Sequence, residues 1–103
     1  MAILPATDGR TAMRRVVNLA ARLRDPGARS GPVHVRDLST NGFMAETELA
    51  LAESEDIWVK LPGLEARSCR LIWSKDGRHG FEFSSPLDEL TVEGLITAAR
   101  KPI

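Results

Sequence analysis

Residues 66–83 read Ala66-Arg67-Ser68-Cys69-Arg70-Leu71-Ile72-Trp73-Ser74-Lys75-Asp76-Gly77-Arg78-His79-Gly80-Phe81-Glu82-Phe83. The first eight residues form one strand-like run, and Phe81-Glu82-Phe83 alternates apolar with polar. Between them sits Asp76-Gly77, a pair that readily takes the positive φ angles of a two-residue hairpin. Two strands joined so tightly must run antiparallel, because a parallel crossover needs a dozen or more residues.

The same signals recur upstream. Val17, Leu19, Ala21 and Leu23 alternate with Asn18, Ala20, Arg22 and Arg24, the period of a half-buried strand. Asp25-Pro26-Gly27 and Ser30-Gly31-Pro32 mark a loop. Val33 and Val35 alternate with His34 and Arg36 in a second strand. Ser39-Thr40-Asn41-Gly42 reads as a turn because Asn and Gly tolerate positive φ, and Phe43 to Glu46 follow as a short strand. Ile57, Val59 and Leu61 alternate with Trp58 and Lys60, and Pro62-Gly63 turns that strand back.

After Phe83 the pattern changes. In Ser85-Pro86-Leu87-Asp88, Ser can cap a helix, Pro suits the first helical position and Asp favours its positive end. The spacing predicts a helix over about 86–99, weakened at Gly94. Six short strands followed by one helix predict an all-β domain: a six-stranded antiparallel barrel whose C-terminal helix covers one open end. Residues 1–15 are read as a flexible lead and 16–103 as a single barrel domain.

Composition bounds the function. The chain has 103 residues, the size of one domain, and 43% hydrophobic residues, enough for a core. Its 14 basic and 14 acidic side chains cancel, which argues against a whole-surface grip on nucleic acid or on an anionic membrane. No apolar run reaches the length of a membrane span, and no secretory signal opens the chain. A single cysteine, Cys69, fits a reducing compartment, so a cytoplasmic location is expected. The charge is unevenly placed, with seven Arg against two Asp in residues 1–36, then six acids and no Lys or Arg in residues 37–57. Arginine's planar fork clamps phosphate and stacks on rings, so the basic end hints at an anion site beside the blander reading of a solvated face.

Catalytic patterns are missing. His34 and His79 have no partners at metal-ligand spacing, and both are read as surface residues. Cys69 stands without a neighbouring base and reads as a packing thiol. Glu46, Glu48, Glu53, Glu55 and Asp56 lack the spacing of a calcium loop. No enzymatic activity, metal or cofactor is expected.

Two spaced motifs stand out. Arg10-Thr11-Ala12-Met13-Arg14 has the form R-x-x-x-R, and Asp37-Leu38-Ser39-Thr40-Asn41-Gly42 the form D-x-S-x-x-G. In this order, with a first strand at Arg14 to Leu23, Arg70-Leu71-Ile72-Trp73 and Gly80-Phe81-Glu82-Phe83 as the last two strands, the chain resembles the PilZ domain family over roughly residues 10–90. The resemblance implies a six-stranded barrel and a bacterial receptor for cyclic di-GMP. It implies that Arg10 and Arg14 contact the ligand and that Asp37, Ser39 and Gly42 complete the site, with Arg15 a secondary candidate.

Those residue types suit that ligand. Arginine binds phosphate bidentately, pairs with guanine O6 and N7, or stacks on a purine. Asp37 can accept from guanine N–H groups, and Ser39 can donate or accept. Gly42 permits positive φ and lets a backbone N–H approach closely. The alternative for the second motif is a tight turn in which Asp and Ser bond local backbone. Trp73 is either a barrel-rim ring or a stacking platform for guanine, and Trp58 is a candidate partner contact. A receptor of this size is expected to signal to a protein effector. Between Asp8 and Arg15 only Ala12 and Met13 are apolar, so this segment is expected to become ordered when an anion ties its arginines down. The alternative function is a protein-interaction adaptor of the same fold that binds no nucleotide.

Overall fold

The computed structural model describes residues 14–27, 29–49, 51 and 57–100. Arg10 and most of the expected lead lie outside the described residues. Six strands run β1 Arg15–Arg24, β2 Ser30–Leu38, β3 Gly42–Glu46, β4 Ile57–Lys60, β5 Arg67–Lys75 and β6 Arg78–Phe83, followed by helix α1 Glu89–Arg100. They close into an antiparallel barrel in the order β1-β2-β3-β6-β5-β4. Closure comes from β1, which pairs with β2 on one side and with β4 on the other.

Alternation decides which side chains fill the barrel. Val17, Leu19, Ala21 and Leu23 point inward from β1 and meet Val35, Ala45, Ile57, Val59 and Cys69, all buried. Phe43 stacks on Phe81 with ring centroids 4.6 Å apart, and Phe83 tilts against Phe43 at 5.4 Å. Val92, Leu95 and Ile96 bring the helix into the same core, Leu87 joins it from just before the helix, and α1 packs on β1. Each such buried side chain is worth on the order of 1.5–3 kcal/mol, so the helix is held by its apolar stripe.

Asp76 and Gly77 have φ of 52° and 80°, the mirror-image turn that joins Lys75 to its partner Arg78. Three β-bulges interrupt the ladders, between Val16 and Leu19 in β1, Val35 and Asp37 in β2, and Leu71 and Trp73 in β5. Bulges bend a strand and re-aim its side chains. The second and third lie beside residues that line the groove described below.

Several expectations are corrected. Ser30, Gly31 and Pro32 belong to β2, and the loop shrinks to 25–29, where Asp25 accepts from the Arg29 N–H at 3.0 Å. Arg15 begins β1 instead of ending a lead. The helix starts at Glu89, later than Pro86, because Asp88 is the cap: its Oδ1 accepts from the Thr91 N–H at 2.7 Å. Residues just before it are tied elsewhere, with the Leu87 N–H donating to the Thr40 carbonyl at 2.8 Å. Helix α1 continues through Gly94 unbroken. Neither Asn41 nor Gly42 has positive φ. Gly42 is needed for clearance, since a Cβ there would run into the Phe81 carbonyl of the neighbouring strand. His79 is not a surface residue. It shares the inward phase of Phe81 and Phe83, is 8% exposed, and its Nδ1 lies 2.7 Å from the Ser74 hydroxyl, while Nε2 is buried without a partner.

Candidate functional site

The D-x-S-x-x-G segment is built as a clamped turn. The Ser39 hydroxyl accepts from the backbone N–H groups of Asn41 and Gly42, both at 3.2 Å, and donates to the Gly42 carbonyl at 3.3 Å. The Ser39 N–H adds a bond to the same carbonyl at 2.9 Å. The Asn41 carbonyl accepts from the Phe83 N–H at 2.8 Å, which ties the turn to the end of β6. Ser39 is buried, and its hydroxyl is fully used in holding the turn. The local-turn reading therefore holds for Ser39, which shapes the site from within.

Asp37 stands at the head of this turn and pairs with Arg14 at 2.9 Å. The Asp37 side chain is 16% exposed and that of Arg14 71%. The carboxylate is sunk and the guanidinium reaches into solvent. An ion pair with one partner so exposed contributes at most about 1 kcal/mol, so Arg14 is free to exchange Asp37 for a competing anion.

Between them and β5 runs a groove of about 300 Å³ on the outer face of the barrel. Arg14 and Asp37 line it with Ser39, Asn41 and Gly42, and Met44, Gly80 and Glu82 continue it across β3 and β6. Ile72 and Trp73 form its apolar rim, 51% and 46% exposed. Trp73 faces Gly80 across the strands, and a Cβ at residue 80 would overlap its indole, with Cδ1 2.6 Å away. The glycine lets the indole pack against β6. One rim is thus an exposed aromatic face and the mouth is a guanidinium–carboxylate pair. This combination can stack a ring, bind an anion and accept from ring N–H groups.

Five of the seven predicted residues, Arg14, Asp37, Ser39, Gly42 and Trp73, line this one groove. Arg15 does not. Its guanidinium pairs with Glu93 of α1 and braces the helix against β1. Arg10 lies outside the described residues. Sequence reasoning passed over Gly80 and Glu82, although their phase, outward beside inward Phe81 and Phe83, is legible in Gly80-Phe81-Glu82-Phe83. Cys69 lies buried inside the barrel, where burial pushes its thiol up to about 12.

A family model described as PilZ domain matches residues 8–99, nearly the whole chain. The chain belongs to the PilZ domain family. Comparison with curated proteins gives no significant match. PilZ domains are, in general, receptors for cyclic di-GMP and non-catalytic binding domains. Among the described residues the two PilZ motifs meet at the Arg14–Asp37 ion pair, which joins the end of R-x-x-x-R to the start of D-x-S-x-x-G. No helix among the described residues is long and apolar enough to cross a membrane.

Proposed function

We propose that this PilZ domain is a non-catalytic receptor that binds cyclic di-GMP in the groove between Arg14, Asp37 and Trp73. The observation that supports it best is the Arg14–Asp37 pair at the groove mouth. Arg14 serves a phosphate or guanine O6 and N7, Asp37 accepts from guanine N–H groups, and Trp73 stacks on a base. Ser39 and Gly42 hold the turn that carries Asp37. Arg10, four residues before Arg14, reaches the far side of the same ligand and draws the segment from Asp8 onto the groove. That ordering creates a surface the free protein lacks, and through it the domain signals to a protein effector.

Calorimetric titration tests the proposal. Cyclic di-GMP is expected to bind well ahead of GMP, GTP or cyclic GMP, because only it presents two phosphates and two guanines together. Equal binding of GMP, or no heat with cyclic di-GMP, overturns the receptor reading and leaves an adaptor of the same fold.

A further inference from the structure

The groove does not end at Glu82. A second hollow of about 420 Å³ adjoins it, lined by Asn41, Arg70, Glu82, Phe83, Ser84 and Pro86. Asn41 and Glu82 belong to both, so the two cavities share a wall. Glu82 stands directly between two cross-strand neighbours, Gly42 on β3 and Arg70 on β5. It therefore links the D-x-S-x-x-G turn to a second guanidinium.

The Arg70–Glu82 pair has a particular geometry. Arg70 Nε donates to Glu82 Oε1 at 2.9 Å, and Nη2 lies 2.7 Å from the same oxygen. Because both contacts fall on one oxygen, Arg70 leaves Oε2 available to another donor. Both side chains are about half exposed, so the pair is weak and adjusts readily to a ligand. It sets an acceptor and a donor side by side. Guanine presents the complementary order, N1–H and N2–H donors next to the O6 acceptor. Adenine presents an unprotonated N1 and an amino group in those places, which would face a carboxylate and a guanidinium with the wrong partners.

Resting on the receptor reading above, we infer that this hollow is a second base subsite, in which Glu82 and Arg70 read the guanine that Asp37 does not. The groove of about 300 Å³ is at the small end of ligand pockets, and a cyclic dinucleotide carries its two bases at opposite ends of a sugar–phosphate ring. One guanine lies against Trp73 and Asp37. The ring passes over Gly42, where no side chain obstructs it, and the second guanine enters the hollow. Glu82 is then a specificity-determining residue for that base.

Wild type and Glu82→Gln are titrated with cyclic di-GMP and with the mixed cyclic dinucleotide of GMP and AMP. Glutamine keeps the shape and replaces the free acceptor with an amide. Wild type is expected to prefer cyclic di-GMP by about tenfold or more, the scale of one well-formed base contact. Glu82→Gln is expected to lose most of that preference, by weakening cyclic di-GMP binding while leaving the mixed dinucleotide nearly unchanged. Arg70→Gln, which removes the guanidinium from the other side, is expected to narrow the preference in the same direction. An unchanged preference in folded Glu82→Gln and Arg70→Gln overturns the subsite and leaves the receptor intact. Equal weakening of both nucleotides also overturns it, because a base reader must discriminate. Failure of wild type to bind cyclic di-GMP overturns the receptor and the subsite together.

Discussion

Trp73 and Gly80 face each other across β5 and β6, and the indole occupies the space that a side chain at residue 80 would fill. The β-bulge between Leu71 and Trp73 sets this register. Gly80→Ala must therefore push the indole off β6. The ring is 46% exposed and has solvent to move into, so the barrel is expected to fold while the groove loses its wall. The tryptophan emission should shift to the red and cyclic di-GMP affinity should fall.

Gly42→Ala is the contrasting case. Its Cβ would meet the Phe81 carbonyl, which is backbone and cannot step aside without parting β3 from β6. The expected effect is loss of stability, of about 1–3 kcal/mol or more for overpacking of this kind. Denaturant unfolding measures it. A Gly42→Ala variant as stable as wild type would show that the two strands separate without cost.

Arg14→Ala separates binding from folding. Arg14 precedes β1, is mostly exposed, and contributes one weak ion pair to the fold. The melting temperature should change little. Affinity for cyclic di-GMP should fall by about 1.5–3 kcal/mol, the scale of a lost charged hydrogen bond. A folded Arg14→Ala variant with wild-type affinity would remove Arg14 from the site.

How much of this was legible in the sequence follows from which interactions are local. Asp76-Gly77 carries its turn in two residues, and the alternation from Val17 to Leu23 fixes one wall of the barrel. Pro86 is a genuine helix signal, yet α1 starts three residues later, at Glu89. What overrides it is distant, because the Leu87 N–H is taken by the Thr40 carbonyl of the turn after β2. The neighbouring turn suggests exposure for His79, whereas its phase with Phe81 and Phe83 places it inside. Within the site, the motifs named Asp37, Ser39 and Gly42, but not their division of labour. Ser39 closes the turn on its own neighbours, as the local-turn alternative has it, but that Gly42 clears a carbonyl depends on β6, which no spacing within the motif reports.

Asp88 gives α1 a pH-dependent cap. The Thr91 backbone N–H bonded to its carboxylate holds Asp88 below its ordinary 3.8. A carboxylate lowered on folding stabilises the fold at pH values above its unfolded value. That stabilisation fades as pH falls below 3.8 and is gone once the folded carboxyl is also protonated. Asp88→Ala should therefore melt lower than wild type at neutral pH, and the gap should narrow on acidification. Melting curves of both proteins from pH 7 to pH 2 check it. A gap that stays constant with pH would mean that the carboxylate's charge does not matter to the cap.

Gly94 is exposed on α1, and a Cβ there would meet nothing within 4 Å. Gly94→Ala should stabilise the protein by about 0.5–1 kcal/mol, because alanine restricts the unfolded chain and suits a helix. Chemical denaturation should show a higher midpoint with an unchanged slope. The nucleotide dissociation constant of this variant should stay at the wild-type value, since Gly94 is not among the residues lining the groove.

Nucleotide itself should stabilise the fold by mass action. A ligand that binds only the folded state adds about 2.7 kcal/mol at a hundredfold excess over its dissociation constant. In a domain of this size 1 kcal/mol moves the melting temperature by about 4–8 °C, so saturating cyclic di-GMP should raise it by on the order of 10–20 °C. The dependence on concentration carries further information. For one bound nucleotide the stabilisation grows by about 1.4 kcal/mol per tenfold increase in free ligand, and for two it grows twice as steeply. The groove and hollow filled by the two bases of one molecule require the shallower slope, whereas one whole nucleotide in each would give the steeper. GMP, which presents a single guanine, should produce a much smaller shift at the same concentration. A melting temperature indifferent to cyclic di-GMP across the whole range would mean that the folded state has no nucleotide site, whatever the motifs suggest.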